Sequence, residues 1–296
     1  MTQDPAKFRP KIYPPPQFPP VRLPAFAQTP PAIFPVLLGL LGLAAGLRVG
    51  LSHLGGPLAL SDLASGVVVP LWAFGIFAYL AKLARRIRVI GDDLKVLPSR
   101  GGLAAATLGG MVAAGLLVPF SSSAAKGLLG VSVVAHCVLV ALTIRALIAL
   151  PPEGRGIDPG WHLIFVGLIV AAPPAATLGY AGLAEALLMA TLPIAAALWG
   201  ASLVQLVRRI PPAPLRPMLA IHLFPASLFA IVATLTDHPV LAAVCTAGVV
   251  AGLLALAIGL RWVTAAGFTP IWGAFTFPLS AATAALVLQG GALASF

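Results

Sequence analysis

From about residue 31 onward, long apolar runs alternate with short polar intervals. The runs fall at about 31–51, 64–85, 103–120, 124–149, 160–180, 183–208, 214–235, 238–260 and 269–289. Each is about long enough to cross roughly 30 Å of hydrocarbon as a helix. Open β-structure would leave backbone groups unpaired in lipid, so the pattern predicts an all-α polytopic membrane protein of nine spans. The intervals between spans one and two, three and four, five and six, and seven and eight are short. They predict four antiparallel hairpins followed by span nine alone. Residues 1–30 are rich in proline (Pro14, Pro15, Pro16, Pro19, Pro20) and read as an extended tail before a single membrane domain over 31–296. No signal peptide is expected there.

Composition sharpens this picture. The chain is 59% hydrophobic and 9% charged. Every Lys and Arg except Arg48 and Lys126 falls on the tail, the even-numbered connections or the adjoining span ends. By the positive-inside rule the N-terminus is cytoplasmic, in what is expected to be a bacterial inner membrane. The net charge of +10 is then explained as topology signals and lipid-headgroup partners rather than nucleic-acid binding. Of the carboxylates, only Glu185 is expected well inside a span, which argues against a cation pump or proton relay. Cys137 and Cys245 read as buried, reduced side chains. No metal-ligand spacing, cofactor motif or nucleophile–base pair stands out, and Ser121, Ser122 and Ser123 read as a turn, so no enzymatic activity is expected.

Proline and small residues concentrate in the odd spans. In span one, Pro35, Gly39, Gly42, Gly46 and Gly50 share a helical face. In span three, Ala106, Gly109, Gly110, Ala113 and Ala114 do likewise; span five carries Pro173 and Pro174, span seven Pro225 and span nine Pro278. A mid-helix proline removes a hydrogen bond and kinks the helix. Two readings stand: tight helix packing, or small faces ringing a narrow conduit. In span nine, helical spacing groups Gly273, Ala274, Phe277, Ser280, Ala281 and Ala284, and turns Ile271, Trp272, Phe275 and Leu279 away. Phe277 is the one bulky ring on that face, either a plug in a pore or an ordinary knob between helices.

Four patches in this order resemble the tellurite-resistance/C4-dicarboxylate transporter family, which includes the plant slow-type anion channels. They are Phe34-Pro35 through Leu43, Asp158-Pro159-Gly160-Trp161 leading to Gly167, Leu215-Arg216-Pro217 leading to Pro225, and Trp272 through Pro278. The resemblance implies helical hairpins in quasi-fivefold arrangement around a central pore lined by kinked odd helices. It also implies a phenylalanine gate falling on Phe277, and homotrimers with one pore per subunit. The family has a tenth helix, and the eight residues from Gln289 to Phe296 are too few to supply it.

Two transport functions follow as expectations. One is passive conduction of small anions. The other is a secondary carrier of C4-dicarboxylates or of sulfite- or tellurite-like oxyanions, with Glu185 or His222 as a coupling site. His222 precedes Pro225 by three residues; if both face the lumen, its protonation would tune anion entry.

Overall fold

The computed structural model describes residues 24–294, and every regular element among them is helical. The Pro-rich stretch and its basic residues Lys7, Arg9, Lys11 and Arg22 lie outside the described residues. The long helices are α1 (Ile33–Leu54), α2 (Ala59–Arg85), α4 (Leu97–Leu117), α5 (Ser122–Ala149) and α7 (Ala181–Arg208). They continue with α8 (Leu223–Leu235), α9 (Pro239–Ile258) and α11 (Gly273–Ala294). Between them lie the short helices α3 (Val89–Lys95), α6 (Ala172–Thr177) and α10 (Leu260–Val263). A tight turn over Ala213–His222 runs directly into α8. Counted with that turn, eight helices are long and apolar enough to cross a membrane, and the chain is an all-α polytopic membrane protein.

The expected fifth span is the exception. Its apolar helix covers only His162–Thr177 and changes geometry twice: a π turn over His162–Val166, a 3₁₀ turn over Gly167–Ala171, then α6. The prolines explain the break. Pro173 has no N–H to give the Ile169 carbonyl four residues back, so Ala172 N–H bonds it instead, three residues on. The same device acts in span seven. Pro225 cannot serve the Ile221 carbonyl, and the Ala213–His222 stretch stays 3₁₀ until α8 begins at Leu223. Pro173 and Pro225 therefore open α segments rather than bend continuous helices, whereas Pro278 lies inside α11. Pro35 likewise sits in the first turn of α1, where a missing N–H costs nothing, and makes no mid-helix kink.

The odd spans form a closed inner ring. α1 packs on α4, α4 on the broken segment 162–177, that segment on α8, α8 on α11, and α11 back on α1. Outside it, α2 covers α1 and α4, α5 covers α4 and the broken segment, α7 covers the broken segment and α8, and α9 covers α8 and α11. α4 and the 213–235 span bury 72% and 78% of their apolar windows, whereas α7 and α9 bury 22% and 17%. An even helix thus shows most of its surface to lipid. Among the described residues α11 has no hairpin partner.

Several details refine or correct the sequence reading. In the basic connection after α2, α3 brings Asp93 to accept from Tyr79 Oη at 2.8 Å and Lys82 Nζ at 3.0 Å. Arg100 is buried, with Nε donating to the Leu94 carbonyl at 2.9 Å, so Lys82 and Arg100 are internal ties rather than headgroup partners. Asp62 lies within α2, whose start at Ala59 is earlier than the hydropathy pattern places it. Cys137 is exposed on α5, because the outer helix turns that side outward; Cys245 is buried. Ser121 caps α5, accepting from Ala124 N–H at 3.2 Å.

Candidate functional site: two cavities on the ring axis

Two cavities lie inside the ring, and each is walled by all five of its members. One, of about 260 Å³, lies at the end that carries most of the basic residues. It is lined by Pro35 and Leu38 of α1, Leu97 and Gly101 of α4, Gly160 and Leu163, Met218 and Ile221, and Thr269, Ile271, Gly273, Ala274 and Pro278. The other, of about 210 Å³, lies toward the opposite end. Its wall includes Gly42, Gly46 and Arg48 of α1, Val112 and Gly115 of α4, and Pro173, Pro174 and Thr177 of the broken segment. Leu228 and Ile231 of α8 and Ser280, Ala281 and Ala284 of α11 complete it. At about 30 Å³ of liquid volume per water, either has room for several waters or a small ion with part of its shell.

Phe277 belongs to both walls. Its side chain is buried and lies against Phe224 of α8, with ring centroids 5.6 Å apart and planes tilted by 45°. Phe224 is itself fully buried. Phe277 therefore stands between the two cavities, and Phe224, which lines neither, packs against it. The close approach of α1 to α11 is what brings Phe277 there. A β-carbon on Gly42 would lie 2.7 Å from Phe277 Cδ2, and one on Gly39 would run into Thr276 Oγ1. Small residues on α1 thus do two jobs: Gly42 lines a cavity, while Gly39 only admits the neighbouring helix.

The other sequence candidates divide in the same way. Pro35, Gly273 and Pro278 line the basic-end cavity, and Pro173, Pro174, Ser280 and Ala281 line the opposite one. Gly109 does not face the axis; a β-carbon there would lie 2.6 Å from Trp72 Nε1 of the outer helix α2. Pro225 lines neither cavity and is buried in the start of α8. Ile271, expected to point away, lines the basic-end cavity, because residues 270–272 form a 3₁₀ turn and the α-helical phase starts only at Gly273.

His222 departs most from expectation. It lines a groove with Trp199, Leu223 and Gly252 on the outer side of α8, not an axial cavity. Its Nδ1 lies 2.9 Å from His162 Nε2, and its carbonyl accepts from Trp199 Nε1 at 3.1 Å. The spacing argument assumed α geometry, and the 3₁₀ turn leaves Met218 and Ile221 as the axial residues instead. Glu185 is half-exposed at the start of α7, where Oε1 lies 2.9 Å from His238 Nε2. Neither is placed to couple a proton to movement along the axis.

The lining chemistry is sparse. No Asp or Glu lines either cavity, and Arg48 is the one charged side chain that does, among the described residues. Ser280 Oγ donates to the Thr276 carbonyl at 2.7 Å, and Thr177 Oγ1 to the Pro174 carbonyl at 2.9 Å. Thr269 Oγ1 is buried with no hydrogen-bond partner among the described residues. Sequence reasoning missed the supporting histidine. His136 of α5 is fully buried and places Nε2 2.9 Å from the Ile164 carbonyl in the π turn, and Nδ1 2.8 Å from Thr107 Oγ1 of α4. A β-carbon on Gly167 would meet that ring at 2.8 Å, so this glycine gives the histidine access to the broken backbone. Its only sequence signal is a lone histidine in an apolar span.

No protein-family model matches the chain, and a search of curated proteins finds no match.

Proposed function

We propose that the protein conducts small anions across a membrane through the ring of five inner spans, with the Phe277–Phe224 pair as a steric gate. The observation that carries this reading is the axial pair of cavities divided by Phe277, with no carboxylate in either wall. A passage without carboxylates offers nothing to hold a cation. With the basic end in the cytoplasm, its Lys and Arg residues raise the local anion concentration at the larger cavity. Selectivity then follows the ease of dehydrating the anion. The resemblance to the tellurite-resistance/C4-dicarboxylate transporter family supports the same reading, and homotrimeric assembly belongs to it.

A proton-coupled carrier of dicarboxylates or oxyanions fits less well, because His222 and Glu185 both stand off the axis. The test is reconstitution into liposomes with flux measured over chloride, nitrate, sulfite and malate. The conduit reading expects anion-selective reversal potentials without a proton gradient. Flux of malate or sulfite that requires a proton gradient contradicts it.

A further inference from the structure

Arg48 breaks the charge pattern that every other Lys and Arg except Lys126 follows. It lies at the end of the bundle that is nearly free of basic residues, on an inner helix, and its side chain lines an axial cavity. The other cation at that end, Lys126, rests over the Tyr180 ring at 5.5 Å and lines neither cavity. Keeping an arginine at the wrong end runs against topogenic pressure, which asks for a compensating use. Arg48 is six residues beyond Gly42 on α1, so it stands about 9 Å along the axis from the Phe277 partition. Its side chain is 24% exposed, so it faces both the cavity and the outside; it sits at the mouth.

Its partner is Asp62, in the first turn of the outer helix α2, with Nη1 and Oδ1 2.5 Å apart. That is the one hydrogen bond the guanidinium makes among the described residues, and it engages one of five N–H donors. Asp62 is 38% exposed and does not line the cavity. The carboxylate thus holds the guanidinium from behind and cancels part of its field, while donors remain for a species in the passage.

We propose that Arg48 is an anion-recruiting residue at the mouth of the smaller cavity, and that Asp62 sets how much of its charge an incoming small monovalent anion meets. This rests on the conduit reading above and deepens it. One partly cancelled charge raises the local concentration of a monovalent anion without binding it tightly enough to stall. It also makes the mouth sensitive to salt, since a solvent-exposed charge is screened within about 10 Å at 0.1 M ionic strength.

The test is chloride flux into liposomes carrying the full chain, at low and high ionic strength, in the Phe277→Ala background so that the partition does not hide the mouth. Asp62→Asn raises low-salt flux by roughly three- to tenfold, and the gain shrinks at high salt. Arg48→Gln lowers it by a similar factor and flattens the salt dependence. Arg48→Lys keeps most of the flux, and the neutral double variant Arg48→Gln/Asp62→Asn recovers part of what Arg48→Gln loses, because the unpaired Asp62 carboxylate is gone, which separates loss of charge from loss of the ion pair. Chloride flux that is unchanged by Arg48→Gln at both salt levels overturns this inference alone. Absence of anion flux in both the wild type and Phe277→Ala overturns the conduit reading and this inference with it.

Discussion

Gly42 of α1 and Phe277 of α11 are in direct contact across the inner ring: a β-carbon on Gly42 would stand 2.7 Å from Phe277 Cδ2 and 3.6 Å from Phe277 Cα. The ring is held on its other side by Phe224, so it has little room to yield. The size of residue 42 and the position of the aromatic partition are therefore one variable.

Gly42→Ala should destabilise the protein by about 1–3 kcal/mol, the usual cost of overpacking a filled site. In a Phe277→Ala background the same change should cost close to nothing, because the atom it strikes is gone. Thermal unfolding of the two single variants and the double variant in detergent measures that coupling. Additive costs would show that the glycine serves only the α1–α11 backbone approach.

His136 should matter to stability through the broken span. The Ile164 carbonyl can only accept, so Nε2 of the neutral ring carries the proton and Nδ1 is left as an acceptor that shares the one Thr107 hydroxyl proton with the Ala104 carbonyl. His136→Leu leaves the carbonyl buried and unpaired and should cost about 1–3 kcal/mol. Thr107→Val should cost less, since the histidine keeps its bond to Ile164. Unfolding midpoints of both variants check the order, and equal costs would count against this direction of bonding.

Asp158, in the loop before the broken span, gives a pH dependence. Burial pushes its carboxyl up to about 6, against the opposing pull of the Gly160 N–H, which it accepts at 2.7 Å, and of the Arg100 charge. The folded state therefore holds a proton that the unfolded chain releases near its ordinary value of 3.8. This contribution to stability is fully present below that value and is lost as pH rises through about 6. Asp158→Asn keeps the acceptor for Gly160, should remove the slope over this window and should leave the variant more stable than wild type at pH 7. Unfolding scans between pH 4 and 7 test it; an unchanged slope would assign the titration to another group.

The bundle was legible because lipid enforces it. Long apolar runs fix the spans, and the grouping of basic residues onto alternate connections fixes which helix ends lie together. The small residues of the odd spans carried two meanings that spacing cannot separate. Gly42 lines a cavity while Gly39, three residues away, packs against Thr276, and Gly109 packs against Trp72. Phase arguments failed where proline changes the period. α-Helical spacing puts His222 on the face of Pro225 and so offers it to the axis if that proline faces the lumen, but it ends a 3₁₀ turn and meets His162 instead. Phe224 escaped notice beside its proline, since one of two phenylalanines in a hydrophobic span, with Phe229, has no distinguishing pattern. Arg48 was visible only as an exception to the charge rule; its ion pair with Asp62 needed the packing of α2 on α1.

The central claim is that Phe277 divides a single anion path. The most direct measurement is single-channel or macroscopic current from the reconstituted chain in symmetric chloride, wild type against Phe277→Ala. Removing the ring joins the two cavities, and the account predicts at least a tenfold rise in anion current, equivalent to about 1.4 kcal/mol off the barrier. The reversal potential in a chloride gradient should stay anion-selective. A folded Phe277→Ala protein whose current equals that of wild type, or whose reversal potential follows the cation, would contradict it.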